Sequence, residues 1–485
     1  AFVDVMAMLA DLQAAKKLHE QRPVFFFLKA NFYYAMQQAH RLRLDKAYCA
    51  TAQALGAFSE NTRNWKEAAN LFLHLAETSR NLNWPEMEAP AYHQLGRIAR
   101  EQRDFETARK WCLKSLEITE RRGIDHGTAL TYHELGIIAE KQRDLDTAGE
   151  WYLKSLAIKE KLGDESGAAD TYHHLGIIAQ LQGDFDTARD WYLKSLGVEE
   201  KHGNEHGAAI SYHQLGTIAW LLGDLETARN FHLKSLEIKK KQGNESGLAF
   251  TYHELGNIAW KHGDLEAAQQ WYIKALEIRE KQGDTYGAAM TYHQMGCVAQ
   301  DQRDFETARK WYIKSLEINE KRHNKNDAAM TYHQLGTLAH EQGDIETARA
   351  CYLKSLELKE QDRYGHEAAG TLHQLGRIAL DQRDFEAAKH WYLKSLEISE
   401  RLGIDSDAAR TYNHLSVLEV LQKHYVEAGK WAIKCIVTSL RAGDQHGADR
   451  DSKNFFIAYK RASSADQEAL KLMWKEAGLG SFPEG

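Results

Sequence analysis

A forty-residue interval constrains this chain more than anything else in it. The stretch TYHELGIIAEKQRDLDTAGEWYLKSLAIKEKLGDESGAAD at 131–170 returns with small changes along most of the 485 residues. Leu-Gly pairs mark it at Leu55-Gly56, Leu95-Gly96, Leu135-Gly136, Leu175-Gly176, Leu215-Gly216, Leu255-Gly256, Leu335-Gly336 and Leu375-Gly376. Met295-Gly296 and Leu415-Ser416 fill the two remaining slots, and an alanine (Ala68, Ala108, Ala148 and so on to Ala428) stands twelve places after each pair. Ten copies therefore occupy 51–450 with no slip of register. Such a period belongs to chains whose units stack only on their neighbours, so the length does not divide into independent domains.

Each copy reads as two helices. Tyr132, Leu135, Ile138 and Ala139 fall at steps of three and four, and Leu145, Ala148, Tyr152, Leu156 and Lys159 do the same, which places each set on one helical face. Asp144 is positioned to cap the second helix by accepting orphan N–H groups. Gly163 suits a left-handed C-terminal residue, after which Asp164 can cap the next first helix. Gly136 and Ala148 are small enough to let the two helices approach closely.

The spacing Tyr132-x-x-Leu135-Gly136, then Ala148, then Tyr152 resembles the tetratricopeptide repeat. The resemblance covers about four fifths of the chain, recurring ten times in phase. It implies an all-α, right-handed superhelical solenoid of helix-turn-helix units. The period of forty exceeds the usual thirty-four of the family, as in kinesin-light-chain-like members, and the family's late proline is absent. Longer second helices and longer inter-repeat loops are expected to absorb the difference. Irregular junctions are expected around His323 and Arg363, where the usual glycine is missing.

Outside the array, 1–50 reads as an N-terminal helical cap or docking segment. Two apolar helices at 3–20 and 24–42 are expected there, broken at Arg22-Pro23, with an aromatic patch of Phe25, Phe26, Phe27, Phe32, Tyr33 and Tyr34. Residues 451–485 read as capping helices and a tail. All four prolines are expected outside the array's helices. The net charge of −7 argues against a nucleic-acid partner. Neither a run of eighteen apolar residues nor a secretory leader is visible, so no membrane partner is expected and the cytoplasm is the expected location. The five cysteines form no C-x-x-C pair and read as buried fillers.

Three ladders recur at the array's own period. The histidines His93, His133, His173, His213, His253, His293, His333 and His373 end at Asn413. Metal binding would need imidazoles within about 2.1 Å of one ion, whereas equivalent groups on packed helices stay about 8–10 Å apart. A structural role is expected, with hydrogen bonding to a bound partner as the alternative. Lysines from Lys114 to Lys434 read as a solvated face paired with glutamates such as Glu237 and Glu317. Tryptophans at Trp111, Trp151, Trp191, Trp271, Trp311 and Trp391 read as packing between layers.

Positions one and four after each Gly change from copy to copy. The first set includes Arg97, Ile137, Thr217, Asn257 and Arg377, and the second Arg100, Glu140, Gln180, Trp220, Trp260 and Leu380. The resemblance implies that both slots face a concave groove. Trp220 and Trp260, with Leu221 and Phe250, have the character of apolar anchors for a partner. Asn257, Arg377, His213, His253 and His293 would supply polar contacts. The alternative is that these residues pack against the next first helix. No nucleophile–base pair, phosphate loop, paired carboxylate or cofactor motif is visible, so no catalysis and no cofactor are expected. The expected role is a protein- or peptide-binding module, the sensor or interaction arm of a larger bacterial signalling or defence protein, with an upstream domain of the same polypeptide as another partner. A scaffold assembling through its ends or convex face is the competing class. A further alternative is the regulatory array of an NTPase or protease whose catalytic domain lies outside this sequence.

Overall fold

The computed structural model describes residues 1–480 and 482, apart from 15, 17 and 361–364. Every regular element among them is a helix. Helices α1 (Phe2–Ala14) and α2 (Leu18–Arg41) precede ten hairpins, which begin with α3 (Asp45–Asn61) and α4 (Trp65–Asn81) and end with α21 (Asp405–Leu421) and α22 (Tyr425–Arg441). Helices α23 (Gln445–Arg461) and α24 (Ser464–Glu476) close the chain. Contacts divide it into an N-terminal half, Ala1–Gly243, and a C-terminal half, Asn244–Gly485. Within each half, consecutive helices pack on one another.

The hairpin α7 (Asp125–Lys141) and α8 (Leu145–Leu162) shows why the sequence folds this way. Asp144 caps α8 by accepting from the Thr147 N–H at 3.3 Å. Gly163 ends α8 with φ at 68°, and Asp164 then accepts from the Gly167 N–H at 2.9 Å to start α9 (Glu165–Leu181). A Cβ on Gly136 would stand 2.6 Å from the Tyr152 ring, so glycine is what lets this tyrosine lie fully buried between the helices. The Ser155 hydroxyl donates across the hairpin to the Ala129 carbonyl at 2.7 Å. The same bond recurs from Ser195 to Ala169 and from Ser355 to Ala329.

Several expectations need correction. The extra length of each repeat is not in the loops. First and second helices are nearly equal, 17 residues in α7 and 18 in α8, because one left-handed residue closes each junction. At Arg143 (φ 65°) a non-glycine takes that conformation where Gly183 and Gly223 serve elsewhere. His323 (φ 55°) likewise stands in for glycine, and Asn324 caps the next helix as usual, accepting from the Asp327 N–H. The Arg363 junction lies outside the described residues.

The N-terminal break falls before Leu18 rather than at Arg22-Pro23, and α2 runs through Pro23. The Gln21 amide explains the position, because it donates to the Gln13 and Lys16 carbonyls at 3.0 and 2.8 Å and secures the turn. Two prolines also lie inside an array helix. Pro85 is the first residue of α5 (Pro85–Glu101), where its missing N–H would be unsatisfied anyway. Pro90 sits further in, on the exposed face, where water can meet the carbonyl it leaves free.

Candidate recognition face on the first helices

The histidine ladder proves to be a stitch between repeats. The imidazoles of His133, His173, His253, His293, His333 and His373 lie beside the buried tyrosine of their own hairpin, as His133 does with Tyr152 at 5.3 Å between ring centroids. In most of these repeats Nδ1 reaches the threonine that opens the next repeat. The distances are 3.3 Å for His133 and Thr171, 3.2 Å for His293 and Thr331, 3.1 Å for His333 and Thr371, and 3.2 Å for His373 and Thr411. The Thr331 hydroxyl already donates to the Asp327 carbonyl at 2.8 Å, so the His293 Nδ1–H must be the donor between those two. Where Asn413 replaces the last histidine, its amide donates to Asp451 at 2.9 Å.

Burial holds these rings neutral. It pushes His93, His293 and His333 down to about 4, and His213, His253 and His373 to about 3. His213 rests against His232, with ring centroids 5.0 Å apart, and His253 faces the Arg279 guanidinium at 3.4 Å. The three histidines offered as partner contacts are therefore engaged inside the array.

The lysine and tryptophan ladders belong together. Trp151 stacks on Tyr132 at 5.4 Å, and the Lys154 ammonium sits 4.5 Å from the Trp151 ring. The arrangement repeats at Lys194 over Trp191 and Lys274 over Trp271. Lysine therefore pairs with the tryptophan face here, a cation–π contact, rather than with the glutamate three residues on. The repeat with Cys351 in the tryptophan slot supplies the contrast: Lys354 turns to Glu357 at 2.9 Å instead. Among the cysteines, burial pushes the thiols of Cys49, Cys112, Cys297, Cys351 and Cys435 up, away from the reactive thiolate.

The two variable slots on the first helices have a shared internal duty. Each repeat that buries a tyrosine beside its Gly must give that phenol a partner. Tyr152 donates to Glu140 at 2.8 Å, Tyr192 to Gln180 at 3.0 Å, Tyr272 to Asn257 at 2.7 Å and Tyr312 to Gln300 at 2.9 Å, while Tyr352 pairs with Thr337 at 3.1 Å. Asn257 is thus committed to Tyr272, and its amide also donates to Glu254. The repeat of Arg377 and Leu380 has no such acceptor, and the buried Tyr392 hydroxyl has no hydrogen-bond partner among the described residues. Variation at these slots is partly dictated by packing, which the sequence alone did not reveal.

The proposed anchors separate under this accounting. In the N-terminal half, Trp220 stands in a repeat where His232 replaces the tyrosine, so no phenol there needs an acceptor. Its side chain is 39% exposed at the end of α11 (Glu205–Leu221), next to the exposed Leu221. In the C-terminal half, Phe250 is 48% exposed on α13 (Glu245–Lys261). Trp260 is instead held down: its indole N–H donates to Asp301 at 2.6 Å and its ring packs against a core that includes Met295 and Val298. Arg377 is exposed and donates to Gln374 at 3.1 Å.

One feature went unread in the sequence. A cleft of about 630 Å³ opens in the N-terminal half between α5 and α7, walled by His93, Gln94, Arg97, Arg100, Leu130 and Ile137. Its guanidiniums are neutralised, Arg97 by Glu60 at 3.2 Å and Arg100 by Glu134 and Glu101. The available signal was the gathering of Pro90, Arg97 and Arg100 in one helix. No cluster of three or more His, Cys, Asp or Glu suited to a metal occurs among the described residues, and no described helix is long and apolar enough to cross a membrane.

Comparison with known proteins settles the family. Tetratricopeptide repeat models match residues 87–161, 167–241, 207–281, 247–309 and 287–361, and a second model of the same repeat matches 368–402. The chain belongs to the tetratricopeptide-repeat family. Among solved structures, a STAND (signal transduction ATPase with numerous domains) protein with a tetratricopeptide repeat sensor, from Pyrococcus horikoshii, is 16% identical with a TM-score of 0.56. That match covers 76% of this chain and 55% of the other, so this chain spans about half of that protein's length. The apo quorum sensor NprR from B. thuringiensis is 14% identical with a TM-score of 0.52, covering 70% of this chain and 99% of the other. These likenesses show the fold. A search of curated proteins finds no match.

Proposed function

We propose that this tetratricopeptide array is a protein-recognition module that holds a peptide or protein segment against its first helices. Trp220 carries the reading. It is a large aromatic in a slot that elsewhere serves a buried phenol, yet here it stands exposed beside Leu221 with no such duty. Exposed aromatics of this kind dominate binding energy at protein interfaces. In the C-terminal half, taken by itself, Phe250 offers an exposed apolar group and Arg377 an exposed cation suited to an acidic side chain. The histidines and Asn257 act indirectly, by holding the repeats in register.

In this reading the array serves as the sensor or interaction arm of a larger signalling or defence protein; the Pyrococcus horikoshii protein's description names its own tetratricopeptide repeats a sensor. The test begins with peptides selected from a displayed library against the whole chain. Trp220→Ala should weaken the selected peptides at least ~30-fold, the size of a hot-spot truncation. Exposed Leu153 on the second helix α8 supplies the control, since Leu153→Ala should leave affinity unchanged. Equal affinity for wild type and Trp220→Ala would overturn the assignment.

A further inference from the structure

The two ends of the array are finished differently. At the C-terminal end, Phe455, Trp474 and Leu470 form a buried cluster with Phe456 and Phe482 packed over it. The N-terminal hairpin buries Phe25 and Phe32 but leaves several large apolar side chains outside. Phe26 and Phe27 are each 79% exposed and lie against one another, and Met8 is 74% exposed. Leu12 is exposed one turn beyond Met8, and Phe2 meets Tyr34 at 5.8 Å between centroids. Helix α1 buries Val3, Met6 and Ala10 on its inner side as well, so it is apolar nearly all round, a pattern expected of a helix covered on both faces.

We infer that this terminal hairpin is the contact of a head-to-head homodimer, with α1 of one copy lying on α2 of the other. Three observations select a second copy of this chain. The six exposed residues present on the order of 800 Å², taking roughly 200 Å² for a fully exposed large side chain, and a stable interface buries about that much per partner. The composition, four aromatics with one methionine and one leucine, is that of an interface core. The charges also match: α1 exposes Asp11, while Asp4 is taken by the Ala1 ammonium at 3.0 Å, and α2 exposes Arg22 and Arg41. A two-fold axis that sets α1 on α2 brings Asp11 of each copy to the basic side of the other. Because a two-fold contact uses the same patch on both copies, the association stops at two copies instead of growing into a filament.

The inference is independent of the recognition face, and one experiment separates them. Sedimentation velocity on the whole chain at about 10 µM, where an interface of this size is populated, should give twice the chain's 55.3 kDa. Phe26→Glu combined with Phe27→Glu, and separately Met8→Glu, should weaken the dimer at least ~100-fold. Thermal unfolding and affinity for a Trp220-dependent peptide should stay unchanged. Leu472→Glu at the opposite end should leave the dimer intact. A chain that sediments as a monomer overturns the inference, whether or not it then binds lipid vesicles or another protein through this face. A dimer that survives all of the N-terminal substitutions overturns it equally.

Discussion

Gln180 and Leu380 occupy the same slot in two repeats and should respond to exchange in opposite directions. Gln180 accepts from the Tyr192 hydroxyl at 3.0 Å, and Tyr192 is fully buried. Gln180→Leu leaves that phenol without its acceptor, at a cost of about 1–3 kcal/mol. Glutamine and leucine have similar helix propensity, so the backbone contributes little. At Leu380 the deficit already exists, because the Tyr392 hydroxyl is buried without a partner. Leu380→Gln supplies the missing acceptor and should stabilise by about 0.5–1.5 kcal/mol. Long arrays need not unfold in one step, so the measurement should be local: native-state hydrogen exchange of amides in α10 (Phe185–Lys201) and α20 (Phe385–Leu402). Opening free energy should fall in α10 for the first variant and rise in α20 for the second. A neutral Gln180→Leu together with a destabilising Leu380→Gln would refute the phenol accounting.

Three further outcomes follow from the same geometry. Gly136→Ala should destabilise by about 1–3 kcal/mol in native-state hydrogen exchange of the α7 and α8 amides, because its Cβ would stand 2.6 Å from the Tyr152 ring and overpacking outweighs the better helix propensity. Arg143→Gly should stabilise by about 0.5–1 kcal/mol in the same assay, since Arg143 holds φ at 65° where other repeats use glycine. The histidine ladder should make the fold acid-sensitive. His333 titrates at 6.5 when unfolded and near 4 when folded, so its contribution is complete above pH 6.5 and is lost as pH falls from 6.5 to about 4. His333→Asn should flatten the slope of stability against pH in that window by at most about 1.4 kcal/mol per pH unit, and an unchanged slope would contradict it.

The hairpin fold was readable because each of its devices leaves a residue at a fixed place. Asp144 and Gly163 announce helix ends through backbone chemistry that no distant contact alters, and Gly136 with Tyr152 announces a close approach. The candidate face was harder to read. A slot that varies can be variable because a partner selects it or because its own repeat needs a different hydrogen bond. Gln180 and Trp220 look alike as departures from the repeat, yet one answers Tyr192 and the other does not. Telling them apart requires knowing that position 232, twelve residues on, is the one that points back. The sequence did hold that clue, in His232 standing where others have tyrosine, but its meaning depends on the packing. The same holds for Trp260, whose bond to Asp301 reaches into the next repeat, as the bond between His340 and Asp381 does at the same spacing. The cleft between α5 and α7 was missed because it is a property of space between helices.

Recognition through the first helices can be examined by photo-crosslinking with a selected peptide. A benzophenone side chain placed at position 220, on first helix α11, should capture the peptide in high yield. The same group at position 153, on second helix α8, should capture none. Capture from 153 and not from 220 would place the partner on the opposite wall of the hairpins and contradict the account.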